Sequence, residues 1–212
     1  MLIRSHPTVR TDGWTDPIEV WTYVAADQFS TQGDTTAKYQ VGTKLKWTQT
    51  TVRYGYVQSS SFGGGITTIT IITDTDYVIA NAAISANFYS YQENPQGFPA
   101  WFTYVPTFTG FSVAPTVAAR FALNGRVCFV THYVSGAGTS NATTFTVTLP
   151  LNAVEIAFFP TAISVDNGAE GATGRAGTAA SSNILELRKS AGDPTWTASG
   201  DKYAYFSIFY RV

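Results

Sequence analysis

One cysteine, two histidines and a charged fraction of 13% in 212 residues are the scarcities of this sequence, and each closes a class of function. A lone Cys128 excludes an intramolecular disulfide and any multi-cysteine zinc site, and inside an apolar strand it reads as a small buried hydrophobe. With only His6 and His132 there is little material for a Ser-His-Asp triad. His132 shares a strand face with Cys128, so a Cys-His pair is geometrically conceivable, but nothing around it activates a thiol. Charge is sparse and balanced, with a net of −1, and the lysines and arginines are scattered. There is no basic field to hold phosphates, and nucleic acid is not an expected partner. No apolar run reaches the roughly 18–20 residues of a membrane helix, and Met1-Leu2-Ile3-Arg4-Ser5-His6 lacks a signal-peptide core, so synthesis in a cytoplasm without membrane insertion is expected.

Helical periodicity is also missing. Apolar residues alternate with period two, as in Thr144 to Leu149, where Phe145, Val147 and Leu149 take one face and threonines the other. Val52 to Val57 is a strand with Val52, Tyr54 and Tyr56 on one face. After Gly63-Gly64-Gly65, Ile66 to Thr73 returns beside it as a hairpin. Asn124-Gly125 predicts a second hairpin with a type I′ turn between Arg120-Leu123 and Arg126-Val130. Further strands are expected at Ile18–Val24, Thr43–Gln49, Glu155–Val165, Asn183–Arg188 and Tyr203–Tyr210. The last is apolar on both faces, Tyr203, Tyr205 and Phe209 on one and Phe206, Ile208 and Tyr210 on the other, and is expected to be covered on both sides by its own domain or a neighbouring subunit. Only Ala80–Ala86 has helical character, and it is too short to stand alone.

The prolines and glycine of Glu93-Asn94-Pro95-Gln96-Gly97-Phe98-Pro99 mark a boundary. The expected architecture is all-β: a small N-terminal β-module over 1–96, for attachment or spacing, then a jelly-roll-like antiparallel β-sandwich over 97–212 for outward binding or trimerisation. No period of 20–50 residues points to a propeller or solenoid.

Chemistry is thin. G-x-S-x-G and H-E-x-x-H are absent, and Gly63-Gly64-Gly65 lacks the Lys-Ser/Thr sequel of a phosphate loop. Asp74 and Asp76 are spaced for a carboxylate pair in glycoside hydrolysis or for part of an ion site, although Asp-Thr-Asp at a strand end is ordinarily turn chemistry. Asp166-Asn167-Gly168 reads as a turn. Asn141-Ala142-Thr143 fits a glycosylation sequon, meaningful only in a eukaryotic secretory pathway. No catalytic residue, metal site or cofactor is expected. Aromatic residues, 15% of the chain, are the remaining resource for stacking on sugars or anchoring interfaces. Trp21 and Trp47 fall in strands and are expected in the core. Trp14, Trp101 and Trp196 lie near turns and are the better surface candidates for ligand contact, although packing under a loop is the commoner role for an indole and is expected ahead of it.

Four segments carry a resemblance: Trp101-Phe102-Thr103-Tyr104-Val105-Pro106-Thr107-Phe108-Thr109-Gly110-Phe111, Gly125-Arg126-Val127-Cys128-Phe129-Val130, Thr139 to Pro150, and Trp196-Thr197-Ala198-Ser199-Gly200-Asp201-Lys202. Their order and spacing resemble a domain at the C-terminal end of bacteriophage and prophage tail proteins. Asp12-Gly13-Trp14, Ala37-Lys38-Tyr39 with Gly42-Thr43-Lys44-Leu45-Lys46, and Tyr77 to Ile84 are similar to a small β-module found beside that domain. The resemblance implies a virion component made in a host bacterial cytoplasm, in a tail fibre, tail tip or baseplate. It implies a homotrimer with other virion proteins as partners and a host cell-surface glycan or protein as the object of adhesion. A capsid decoration, head fibre or tail spacer is the alternative. A surface-polysaccharide depolymerase would rest on Asp74 and Asp76 alone and lacks the long repeated β-scaffold of such enzymes.

Overall fold

Alternating side chains and Gly-rich turns leave the backbone few choices besides strands, and in the computed structural model the regular structure of the described residues, 10–160, 163–170, 174–189 and 195–212, is entirely β. The fold is all-β, and its antiparallel sheets curl into half-barrels. The chain divides into two compact units. The first runs to Phe102 and includes Leu123–Arg126, and the second holds Thr103–Ala122 and Val127–Val212.

The first unit has six strands: β1 (Thr22–Ala25), β2 (Gln28–Gln32), β3 (Lys44–Gln49), β4 (Thr51–Gly63), β5 (Ile66–Ile72) and β6 (Ser85–Ser90). They form one sheet in the order β1-β2-β5-β4-β3-β6. One face packs Trp21, Phe29, Leu45, Trp47, Val57, Ile69 and Ile71 with Tyr39 and Ile79 into a core. The expectation that Trp21 and Trp47 are buried is met. On β4 the side chains neighbouring Val57 point the other way, and Tyr54 and Tyr56 meet Phe98 edge-on at 5.8 and 5.0 Å. Both faces of this sheet therefore carry rings. Gly63 pairs with Ile66, and Gly64 and Gly65 between them have φ of +61° and +84°, the pair of positive values a type I′ turn demands.

One expectation fails here for an identifiable reason. The expected strand from Ile18 begins only at Thr22, because Asp16 Oδ1 accepts the Ile18 N–H at 2.9 Å in a turn that holds Ile18 at φ +73°. Ala80–Ala86 forms no helix. The Gln49 amide donates to the carbonyls of Ala80 and Ala82 at 2.9 and 3.0 Å, the two acceptors that a helix would offer to Ile84 and Ala86, and accepts from the Ala80 N–H.

The second unit is an antiparallel β-sandwich. One sheet contains β7 (Phe102–Tyr104), β9 (Phe111–Val113), β10 (Thr116–Asn124), β11 (Val127–Gly136), β12 (Gly138–Ser140), β15 (Ile163–Asp166), β16 (Ala169–Glu170) and β19 (Asp201–Arg211). Its main path is β16-β15-β19-β11-β10-β7. The other, β14-β17-β18-β13-β8, is built from β8 (Phe108–Thr109), β13 (Phe145–Ala153), β14 (Phe158–Pro160), β17 (Arg175–Thr178) and β18 (Ser182–Arg188). Period-two alternation puts Phe145, Val147, Leu149, Leu151 and Ala153 of β13 inward against Cys128, Val130, Phe206, Ile208 and Tyr210. The Tyr210 hydroxyl donates to the Leu151 carbonyl at 3.0 Å, which ties the sheets together through the core.

The Asn124-Gly125 hairpin exists but turns one residue later than expected. Gly125 and Arg126 form the turn, and of these and Asn124 only Gly125, at φ +56°, is left-handed. A positive φ confined to the first central residue belongs to type II′ rather than I′. The expected strand Glu155–Val165 is divided between the sheets: Phe158–Pro160 pairs with β17, and Ile163–Asp166 pairs with β19. Pro160 lacks the N–H that would carry the ladder onward.

Candidate functional site

Two of the three turn-adjacent tryptophans pack inside, the commoner of the two roles expected for them. Trp14 is fully buried and donates its indole N–H to the Gln96 carbonyl at 2.9 Å, while Trp196 is buried against Phe145 and donates to the Leu187 carbonyl at 2.9 Å. Each has its polar edge satisfied by a backbone carbonyl, 82 residues away for Trp14 and nine for Trp196, which lets a turn-adjacent indole lie inside. Of the three, only Trp101 stays at the surface, 41% exposed.

Asp74 and Asp76 lie at a turn, where the Asp74 carbonyl accepts the Tyr77 N–H at 3.2 Å. The Asp76 carboxylate is 3.7 Å from the Arg53 guanidinium, which itself lies 4.2 Å over the Tyr77 ring. Among the described residues no group of three or more His, Cys, Asp or Glu side chains is placed to hold a metal ion.

The Cys128–His132 pair is not assembled. Both point into the core, but Val130 stands between them on the same face, and four residues at about 3.3 Å each separate them by roughly 13 Å along the strand. Burial pushes the Cys128 thiol up to about 12, so it is an unreactive core group. His132 stacks on Phe206 with centroids 4.5 Å apart and planes 6° from parallel. Burial lowers its pKa to about 4, opposed only in part by the Ala204 backbone, so the ring is neutral at pH 7. His6 lies outside the described residues.

A group the sequence did not single out is the buried ion cluster at Asp166. Its carboxylate is 3.0 Å from the Lys202 ammonium and 2.7 Å from that of Lys189, and it accepts from the Thr197 hydroxyl and N–H at 2.5 and 3.2 Å. Lys202, also buried, donates to the Ser199 and Gly200 carbonyls at 2.6 and 3.2 Å. Burial alone would raise the Asp166 pKa, but hydrogen bonds from Lys189, Thr197 and Lys202 outweigh it and hold the carboxyl well below the usual range. Thr197 and Lys202 thus hold the Trp196–Lys202 segment against the end of β15, and Lys189, just past β18, joins the same carboxylate, a structural arrangement.

The strongest surface feature is on β11 and β19. These strands pair with Phe129 opposite Phe209 and Thr131 opposite Ser207, and Tyr133 meets Tyr205 at 5.9 Å. The Phe129 and Phe209 rings are 6.2 Å apart, Phe159 lies 6.2 Å from Phe209, and Tyr203 stacks parallel to Tyr205 at 6.4 Å. Alternation turns this row away from the core, leaving Tyr133 and Phe209 each 62% and Phe129 40% exposed. Of the two apolar faces foreseen for this strand, the one carrying Phe206, Ile208 and Tyr210 is covered, and the other is half-buried at Tyr203 and Tyr205 and open at Phe209. Single exposed rings are ordinary, but two ring groups joined by the Thr131–Ser207 pair, with charge only at the ends of the row at Asp201 and Arg211, mark a contact surface. Compared with family models, curated proteins and solved structures, the chain finds no match in any of the three.

Proposed function

We propose that the chain is a non-enzymatic bacteriophage virion protein, a tail-fibre or tail-tip component that assembles as a homotrimer and contacts the host cell surface. The assembly is carried by one observation, the aromatic row on the outer face of the sandwich, exposed at Phe129, Tyr133 and Phe209 and half-buried at Tyr205 and Tyr203. Its occupant is another copy of this chain. A standard interface buries roughly 800 Å² per partner around an apolar, charge-depleted and aromatic centre, and the ladder has that composition with its nearest ion pair, Arg211 to Glu155 at 4.0 Å, at one end. Phage origin and host adhesion are supported by the resemblance of the segments from Trp101 to Lys202, and the low charge suits a protein that works by surface contact.

Light scattering on the purified full chain should give three times the chain mass. A stable monomer at high concentration would remove the assembly. Labelled protein on intact host cells should bind saturably, and binding that never saturates above background would leave a tail spacer or capsid decoration in place of an adhesin.

A further inference from the structure

The first unit holds a pocket of about 240 Å³ between Gln40–Lys44, Ser90–Glu93 and the Asn124-Gly125 turn. Lys44 is only 6% exposed, yet its ammonium makes no hydrogen bond or ion pair among the described residues. It lies 5.9 and 5.7 Å from the centroids of the Tyr56 and Phe98 rings. Ring faces attract a cation but accept no ordinary hydrogen bond, so the ammonium retains donors for a guest. Burial pulls the Lys44 pKa down and the charge of Glu93 opposes that shift. Glu93 accepts the Asn124 side-chain amide at 3.3 Å, which leaves acceptor capacity on its carboxylate and on the Asn124 amide oxygen. Tyr91 supplies a wall: its ring is 65% exposed, its hydroxyl is tied to the Lys38 carbonyl at 2.9 Å, and it sits edge-on to Tyr89 at 5.3 Å.

We infer that this pocket binds one neutral pyranose unit of a glycan, with the sugar packed on the Tyr91 ring and its hydroxyls bonded to Lys44, Glu93 and Asn124. A fixed exposed ring beside clustered donors and acceptors matches the two surfaces of a sugar, an apolar C–H face and a hydroxyl edge. Glu93 beside the single cation disfavours a phosphate or carboxylate guest, and the small volume suits one ring rather than a chain. The inference rests on the host-adhesion reading for the source of the glycan and names the class of ligand that adhesion would use.

Saturation-transfer NMR on the full chain, with glucose, galactose, N-acetylglucosamine and galacturonic acid as probes and inorganic phosphate as competitor, tests it. At least one neutral sugar should receive magnetisation, and Tyr91→Ala and Glu93→Gln should each weaken that signal about tenfold with the circular dichroism spectrum unchanged. The proposal is overturned if no neutral sugar responds, if the signal survives both substitutions, or if phosphate displaces the sugar. The assay uses no cells, so its failure removes this site while leaving the cell-binding measurement to decide adhesion by itself.

Discussion

The Lys202 ammonium and the Asp166 carboxylate meet at 3.0 Å with both side chains almost wholly buried, joining the strand β19 to the end of its neighbour β15. Removing one partner of such a pair strands the other charge in the core. Asp166→Ala should lower the unfolding free energy of the second unit by about 3–5 kcal/mol, while the double substitution Asp166→Leu with Lys202→Met should recover much of the loss. Urea denaturation of the three proteins measures both effects, and a double variant as unstable as the single one would contradict the charge argument.

The pH dependence of stability follows from His132 and Asp166. His132 titrates near 4 folded against an ordinary value of 6.5, so between these pH values the unfolded chain binds a proton that the folded one refuses. Its contribution is complete above pH 6.5 and is lost as pH falls toward 4, at up to about 1.4 kcal/mol per pH unit. Asp166 has a depressed pKa, so its contribution is present above the ordinary carboxylate range and is lost only below it. Stability measured from pH 7 to 4 should therefore fall, and His132→Phe should flatten that part of the curve and leave the decline below pH 4.

Gly42 and Gly33 separate strain from contact. Both have positive φ, +85° and +78°, but a Cβ on Gly42 would collide with the Gly125 carbonyl oxygen, whereas one on Gly33 meets nothing within 4 Å. Gly33→Ala should cost about 1–2 kcal/mol from backbone strain, and Gly42→Ala about 1–3 kcal/mol more from the collision. Equal melting temperatures for the two variants would show that the Asn124-Gly125 turn yields.

The ladder predicts a graded loss of assembly. Phe209→Ser should weaken self-association at least tenfold, and Thr131→Val, on the same face but polar in the native chain, should not weaken it. Sedimentation velocity over a concentration series reads the difference. Equal behaviour of Phe209→Ser and the native chain would place the interface elsewhere.

Much of the fold was legible because its signals are local. The alternation in Thr144–Leu149, the Gly63-Gly64-Gly65 turn and the two-faced pattern of Tyr203–Tyr210 each depend on neighbours a few residues away, and they fall within β13, the β4–β5 turn and β19. The rest depends on distant partners. Trp14 donates its indole N–H to Gln96, and the Ala80–Ala82 backbone is bound by Gln49, contacts that no local pattern announces. Asp166 sits before a turn, as Asp-Asn-Gly implies, but its role comes from Lys202, which no spacing rule connects to it. Lys44 was visible only as part of a motif, because nothing local tells a buried lysine from a solvated one on a strand of alternating Lys44-Leu45-Lys46.

The pairing of β11 with β19 also sets a kinetic asymmetry. Cys128 lies opposite Tyr210, a closure of about 80 residues whose entropy must be met before either central strand gains its ladder, whereas β3, β4 and β5 follow one another as hairpins. The hairpin sheet should therefore order first during refolding, and the sandwich should set the slow phase. During that interval the rings of β19 lack both their core and their neighbours, which makes dilution and low temperature the conditions for recovering the protein from denaturant.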